Sequence, residues 1–374
     1  MKYNILVVDS QQYKHSFIIQ LATALVGRDF NFSLLSGKGY LFEQFTQANW
    51  PVKLNRKAWP NNTRLSRIFL FYYSLIYFLK LFFYQGEKPK AVLLLSWQDK
   101  VVITPLAKLL GWEAIWLEFP GTRYDDLRPC WRKLLQKRAQ SAKLIALAKP
   151  TKEYLIEQGL ANEHLPVIMP GINFDDYVYQ DNIFDNLAEG REGAFRENNF
   201  TIGTVMEQVD EQKVEMLLKT VQQCLEFIPS VQLIIIGSYT DKKKIDWLVR
   251  RMGVQNVWLV SDQVNLKKWL NNFNVFVVAE PIPKLNNLLA AMGAMANRLP
   301  VIGQINTCLD DIIMNQQSGL LIDLNSQDLA EQIIELQQDP VKRTLFGKRA
   351  RALAEAYFSF ERASDDFYKL LSKL

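Results

Sequence analysis

Short apolar runs that alternate with amphipathic segments constrain the fold of this chain more than any other feature. In the first half, five such runs have the continuous hydrophobicity of strands that are buried on both faces: "YNILVVD", "FNFSLLS", "KAVLLLS", "AIWLEFP" and "AKLIALA". Between them lie segments whose apolar residues recur at helical spacing, among them "SFIIQLATALVGRD" and "KVVITPLAKLLG". The pattern predicts a parallel sheet with flanking helices.

The same alternation starts again in the second half, after a polar interval. Residues 173–199 have no sustained apolar period and concentrate acidic residues and asparagines, which is typical of a linker between domains. Beyond the linker, the strand-like runs are "FTIGTVM", "VQLIIIG", "VWLV", "VFVVA", "LPVIG" and "GLLID". We therefore predict an α/β protein with two domains, residues 1–172 and 200–355, followed by an amphipathic final helix in residues 356–374.

Composition argues against several classes of function. With 44 Lys and Arg against 39 Asp and Glu, the net charge of +5 suits an anionic ligand or an anionic membrane surface, but it is too diffuse to indicate nucleic-acid binding. Three scattered cysteines indicate reduced thiols, and two histidines without a Cys/His cluster predict no metal site. Because the chain enters an apolar strand almost at once, we expect no secretory signal and a cytoplasmic protein.

One aromatic segment, from Ile68 to Tyr84, leaves three alternatives open. Its 17 residues contain a single charge, Lys80, and four tyrosines. A membrane-spanning helix needs roughly 20 predominantly apolar residues, so the segment is marginal for that role. A helix buried in the protein is the favoured interpretation. A helix that dips one face into a membrane is the main alternative, and a true span comes third.

Several segments, in matching order, resemble motifs of the family-4-like retaining glycosyltransferases, which have the GT-B fold. "LIALAKPTKEYLIEQGLANEHLPVIMPGINFDDY" is similar to the run that ends in the family's "NG-V-D" loop, and "GAMANRLPVIG" to its "EAMA-x-G-LPVI" segment. "SGLLIDLNSQDLAEQIIELQQDP" and "FSFER" resemble the strand, loop and helices that follow. The resemblance covers essentially the whole chain. It implies two Rossmann-like domains that face a cleft, with the C-terminal helix crossing back to the N-terminal domain.

The resemblance also implies where a nucleotide-sugar donor binds, and several residues there depart from the family pattern. Glu207 stands where the family has an arginine for the diphosphate, and Lys213 lies one residue beyond the position of its lysine. In the helix "LNNLLAAMGAMA", Ala290 replaces a lysine and Gly293 replaces the sugar-binding glutamate. Glu280 lies upstream of this helix, in a loop from which it could reach the sugar.

Phosphate could still meet backbone N–H groups at the start of that helix, because this contact depends on the helix end rather than on side chains. Gly237 and Ser238, at the end of the strand-like run "VQLIIIG", are further candidates by position. The expected donor contacts are Gly203, Lys213, Gly237, Ser238, Asn286, Asn287 and Leu288.

The acceptor side is expected in the first domain. The turn "DSQQYKHS" follows the first strand without the family's glycines and offers Asp9 and His15, although a histidine here is equally a solvated residue at a helix start. In "WLEFPGTRYDD", Glu118 stands where the family often has a histidine that contacts the sugar, with Arg123 close behind. Glu118 is either an acid/base or hydroxyl-binding group or a surface carboxylate that caps a loop.

The predicted function is transfer of a sugar from a nucleotide-sugar to a glycan, lipid-linked or protein acceptor. The resemblance implies retention of configuration and no metal or other cofactor, with the nucleotide-sugar as substrate. The segment from Ile68 to Tyr84 would allow contact with the inner face of a membrane. The alternative is a non-catalytic GT-B protein that serves as a subunit or glycan-binding partner, because Glu207, Ala290 and Gly293 depart from the pattern together.

Overall fold

The computed structural model describes residues 3–10, 16–54, 66–82, 88–177, 199–239, 241–261 and 266–373. The chain forms two compact units, one from residues 1–170 with 363–374 and one from residues 171–362. Each unit is built around a parallel sheet that shows six strands among the described residues. The fold class predicted from the alternating pattern is confirmed.

The first unit contains a sheet of order β3-β2-β1-β4-β5-β6. Its strands are β1 Tyr3–Asp9, β2 Phe30–Ser36, β3 Val52–Leu54, β4 Ala91–Leu94, β5 Glu113–Glu118 and β6 Lys143–Ala146. Its helices are α1 Ser16–Val26, α2 Tyr40–Gln47, α3 Ser66–Phe82, α4 Trp97–Leu110, α5 Pro129–Ala139 and α6 Lys149–Glu157. The three-residue β3 was not predicted, because so short an edge strand has no periodicity to detect.

Local sequence explains how α4 begins and ends. Ser96 is the N-cap, and its hydroxyl accepts a hydrogen bond from the Asp99 N–H at 3.2 Å. Gly111 ends the helix with φ 72°, a left-handed conformation that glycine adopts without steric cost. Because only Leu95 separates Ser96 from the end of β4, α4 starts at the carboxyl edge of the sheet.

The second unit contains a sheet of order β12-β11-β10-β7-β8-β9. Its strands are β7 Phe200–Val209, β8 Val231–Tyr239, β9 Val257–Val260, β10 Val275–Val277, β11 Val301–Gln304 and β12 Gly319–Ile322. Its helices are α7 Glu211–Leu225, α8 Lys242–Arg251, α9 Leu266–Leu270, α10 Leu285–Ala296, α11 Ser326–Gln338 and α12 Pro340–Tyr357. The final helix α13, Phe360–Leu371, continues into the first unit, where Phe367 packs on Phe17 with ring centroids 6.0 Å apart.

Helix α3 occupies most of the aromatic segment, and its described side chains divide between two faces. Tyr77 and Leu81 are buried in the core of the first unit. Leu75, Leu79 and Phe82 are 46%, 45% and 60% exposed. No helix in the described parts of the chain is long and apolar enough to cross a membrane. Among the described side chains, the favoured expectation of a fully buried helix therefore holds for one face only.

Candidate functional site

Each sheet has a topological switch point, where the strand order reverses and a crevice opens at the carboxyl edge. In the second unit the switch lies between β7 and β10, which pair in parallel in the middle of the sheet. The segments that follow these strands lead into α7 and α10. This edge is the candidate donor site, and strand order alone is enough to locate it.

Strand β7 runs further than the sequence indicated. The apolar run "FTIGTVM" predicts a strand that ends at Met206, but β7 continues to Val209 and pairs with β8 throughout. Met206 pairs with Gly237 and Gln208 with Ser238, so Glu207 is the extra residue of a bulge. A Cβ atom on Gly237 would lie 2.6 Å from the Met206 carbonyl oxygen, which explains the glycine beside the bulge.

The bulge directs Glu207 toward the start of α10. The Asn286 side-chain amide donates a hydrogen bond to Glu207 Oε1 at 2.5 Å. A carboxylate near a helix N-terminus interacts favourably with the helix dipole, and a ligand phosphate would use the same field. Glu207 therefore places a negative charge at the start of α10, where the phosphate of a donor would otherwise supply one.

The cation of the site is also neutralised within the protein. The ammonium of Lys213 lies 2.7 Å from Glu280 Oε1 and 2.7 Å from Asp210 Oδ2. Burial alone would lower the pKa of Lys213, but hydrogen bonds and ion pairs with Asp210 and Glu280 outweigh that effect and raise the pKa. Lys213 remains charged and lines a cavity of about 550 Å³ together with Asp210, Glu211, Gln212, Met216, Ala279, Pro281 and Leu324.

The beginning of α10 is fixed to the sheet by Asn287. Its side-chain oxygen accepts a hydrogen bond from the Lys284 N–H at 3.0 Å, and its amide donates to the Val205 carbonyl at 3.5 Å. Asn287 and Leu288 are both buried, whereas Asn286 is partly exposed. Of the three predicted contacts on this helix, Asn286 has the side chain best placed for a ligand.

Gly203 and Ser238 are the remaining donor candidates. Gly203 is in the middle of β7, where an added Cβ atom would lie 2.1 Å from the Phe273 ring, so this glycine permits packing. Ser238 is exposed near the end of β8.

A tyrosine that we had not singled out occupies the space beside Gly293. A Cβ atom on Gly293 would lie 2.8 Å from Tyr177 Cε1 and 3.0 Å from its hydroxyl oxygen. Lys267 lies over the Tyr177 ring at 5.4 Å, and Arg351 donates to the Tyr177 carbonyl at 3.2 Å. Burial raises the pKa of Tyr177 to about 12, so its hydroxyl is neutral at physiological pH. The only signal in the sequence was the missing side chain at Gly293, which does not reveal what fills the space.

The first unit has its own switch point between β1 and β4, and the residues after these strands form a buried polar cluster. Asp9 is the last residue of β1 and is fully buried. Asp99 accepts hydrogen bonds from the Ser10 N–H at 3.1 Å and the Ser96 hydroxyl at 2.6 Å. Burial raises the pKa of Asp99, although these hydrogen bonds act in the opposite direction.

Glu118 belongs to an adjacent buried ion pair. Its Oε1 lies 2.9 Å from the Lys100 ammonium, and the two side chains are 0% and 2% exposed. Oε2 accepts a hydrogen bond from the Tyr124 hydroxyl at 2.8 Å. Burial lowers the pKa of Lys100, and the charge of Glu118 opposes this shift. The hypothesis of a surface carboxylate is therefore wrong, while the acid/base role stays a prediction.

Two acceptor-side candidates remain, Arg123 and His15. Arg123 is exposed and lies over the Tyr154 ring at 4.5 Å. His15 lies outside the described residues. No group of three or more His, Cys, Asp or Glu side chains in the described ranges could hold a metal ion.

Two α/β units, each with a central switch point of the Rossmann type, define a GT-B architecture. Comparison with solved structures agrees. A glycosyltransferase from Rickettsia africae has a TM-score of 0.80 at 13% identity, covering 100% of this chain and 98% of that one. Anabaena HepE in complex with UDP and glucose has a TM-score of 0.78 at 15% identity, covering 100% of both chains. Sucrose-phosphate synthase from Thermosynechococcus elongatus has a TM-score of 0.75 at 17% identity, covering 100% of this chain and 99% of that one.

The family assignment comes from the sequence of the second half. Residues 187–353 match the family described as glycosyl transferases group 1. No curated protein sequence matched the chain. Residues 187–353 thus carry the sequence signature of the glycosyl transferases group 1 family, and the chain has the GT-B fold of the solved structures it resembles.

Proposed function

We propose that this glycosyltransferase takes its sugar from a nucleoside-diphosphate donor bound at the carboxyl edge of the second sheet. The observation that carries the proposal is the placement of Lys213 and the start of α10 on the two segments that follow β7 and β10. A lysine ammonium and the amides of a helix N-terminus are general partners for phosphate oxygens.

The carboxylates at this site define how the diphosphate binds. Glu280 and Asp210 pair with Lys213, and Glu207 accepts from Asn286. A diphosphate that binds there displaces Glu280 from Lys213 and Glu207 from the start of α10. The displacement follows because like charges in one site repel each other. The affinity for the donor is therefore lower than it would be if Lys213 and the start of α10 had no carboxylate partners.

The chemistry that we propose is transfer with retention of anomeric configuration and without a metal. The family resemblance supports retention, and Lys213 with the helix amides supplies positive potential for the phosphates without a metal ion. UDP is the first nucleotide to test because HepE was solved with UDP and with UDP-glucose. A glycan, a lipid-linked sugar or a protein is the proposed acceptor.

Contact with a membrane belongs to the same proposal. The exposed side chains of Leu75, Leu79 and Phe82 follow the spacing i, i+4, i+7 and so share one face of α3. An apolar face of this kind suits insertion at a lipid interface, where a lipid-linked acceptor would be located. The cytoplasmic location predicted from the sequence remains a prediction.

The test is a thermal-shift screen of the purified protein with UDP, GDP, ADP, CMP and their common sugar conjugates, each with and without EDTA. A ligand that binds only the folded state adds about 2.7 kcal/mol of stability at 100 times its Kd. We expect a shift with one nucleotide family that EDTA does not remove, after which NMR of the product reports its anomeric configuration. A well-folded sample that shifts with none of them would contradict the proposal and favour the non-catalytic alternative.

A further inference from the structure

Helix α8 presents an unusually basic outer face. Its ten residues, Lys242–Arg251, contain five basic side chains and one acidic side chain, Asp246. Its apolar side packs on the protein, because Ile245 is buried and Leu248 and Val249 contact the core of the second unit. The helix is thus held in place by one face and shows the opposite face to solvent.

Helical spacing places an aromatic residue at the centre of that solvent face. Lys243, Trp247, Arg250 and Arg251 stand at i, i+4, i+7 and i+8, which is one side of a helix. Trp247 is 56% exposed, although a tryptophan of a globular protein is usually mostly buried. The Arg251 guanidinium stacks over the Trp247 ring at 5.0 Å, so cation and aromatic form one surface.

The charges of this face are largely uncompensated within the unit. Lys244 forms an ion pair with Glu211, and Arg251 interacts electrostatically with Glu215. Within the described residues, Lys243 and Arg250 have no carboxylate within ion-pair distance. The face therefore keeps a net positive potential that an anionic partner would complement.

We propose that this face of α8 is a docking surface for an anionic lipid bilayer. Clustered Lys and Arg side chains on a helix are attracted to anionic headgroups, and tryptophan prefers the interfacial layer because its ring is apolar while its N–H is polar. The apolar side of α8 is already packed on the protein, so the contact consists of charges around one aromatic anchor rather than insertion of the helix. The proposal does not depend on donor binding and adds a contact in the second unit to the one proposed for α3.

The experiment is co-sedimentation of the full chain with two kinds of vesicle. One is phosphatidylcholine alone, and the other contains about 30 mol% phosphatidylglycerol, an anionic lipid that attracts polybasic segments. We expect stronger binding to the anionic vesicles than to phosphatidylcholine alone, and we expect high salt to remove this difference. Three charge reversals, K243E, R250E and R251E together, should lower the partition coefficient at least about 100-fold, since each basic residue near the surface contributes about fivefold. W247A alone should lower it several-fold.

The matched control reverses two exposed basic residues on α12, K348E and R349E, and should retain most of the binding. A thermal melt of every variant separates loss of docking from loss of folding. Equal binding of the α8 triple variant and the control would overturn the proposal. So would binding of the wild-type chain to a soluble sulfated polysaccharide but not to anionic vesicles, which would assign the face to an acidic glycan instead.

Discussion

The Lys213 ammonium lies 2.7 Å from Glu280 Oε1, so the cation of the candidate donor site is already paired inside the protein. Glu280 comes from the segment after β10 and Lys213 from the first turn of α7, which means that the pair spans the switch point of the sheet. A diphosphate has to compete with this carboxylate, and the strength of the competition can be measured.

The first prediction is that Glu280→Gln strengthens UDP binding. The variant removes one negative charge from the site and leaves an amide of the same size, so Lys213 keeps its pair with Asp210 but loses the competing carboxylate of Glu280. Hydrogen bonds to charged groups contribute roughly 1.5–3 kcal/mol, which corresponds to a gain in affinity of about ten- to 150-fold. Calorimetric titration with UDP measures it. Lys213→Met should abolish the gain, and an unchanged Kd in Glu280→Gln would show that Glu280 does not compete with the diphosphate for Lys213.

The second prediction concerns the glycine that replaces the family's glutamate. Gly293→Glu should not restore a better donor site, because the first atom of the new side chain would already lie 2.8 Å from the Tyr177 ring. Overpacking of this kind costs about 1–3 kcal/mol of stability. Urea denaturation measures the loss, and adding Tyr177→Ala should recover part of it. A Gly293→Glu protein of unchanged stability and much higher turnover would contradict the prediction.

The features that could be predicted from the sequence are those that depend on residues close together in the chain. Apart from the short edge strand β3, the strands of both sheets were predictable, because burial on two faces leaves a local apolar run, as in β1 and β8. The bulge at Glu207 depends on pairing with β8, and the packing of Tyr177 on Gly293 depends on residues 116 positions apart in the chain. Neither leaves a local pattern. Helix α10 could therefore be predicted from the sequence, but the positions of Glu207 and Tyr177 beside it could not.

The third prediction separates a structural role of Glu118 from a catalytic one. Glu118→Ala leaves Lys100 buried without its carboxylate, and breaking a buried pair in this way costs about 3–5 kcal/mol. The double variant Lys100→Met with Glu118→Leu should be much less destabilised, because neither member of the ion pair is left buried without its partner. Urea denaturation reports stability. A transferase rate that survives in the double variant would rule out the acid/base role, whereas its complete loss in a folded protein would support it.

The fourth prediction is a pH dependence that arises from Asp99. Its pKa is raised in the folded state by burial, so this residue's contribution to stability is complete below the unfolded value of about 3.8 and is lost as pH rises through the folded pKa. Asp99→Asn does not titrate and should lack this loss. The difference in unfolding free energy, variant minus wild type, should therefore increase from pH 4 toward pH 8. A difference that is constant with pH would mean that Asp99 has an ordinary pKa.

The fifth prediction tests the apolar face of α3. Leu75→Gln with Leu79→Gln removes two side chains that are 46% and 45% exposed, so the cost in stability should be small. Binding to neutral phosphatidylcholine vesicles should fall by about tenfold, because each leucine side chain inserted in lipid contributes up to roughly 1.5–3 kcal/mol and insertion here is partial. Phe227→Gln is the matched control, since Phe227 is 58% exposed but belongs to the second unit. Using neutral lipid keeps this contact separate from the basic face of α8. If the α3 variant and the control sediment alike with these vesicles, the apolar face of α3 is not a membrane contact.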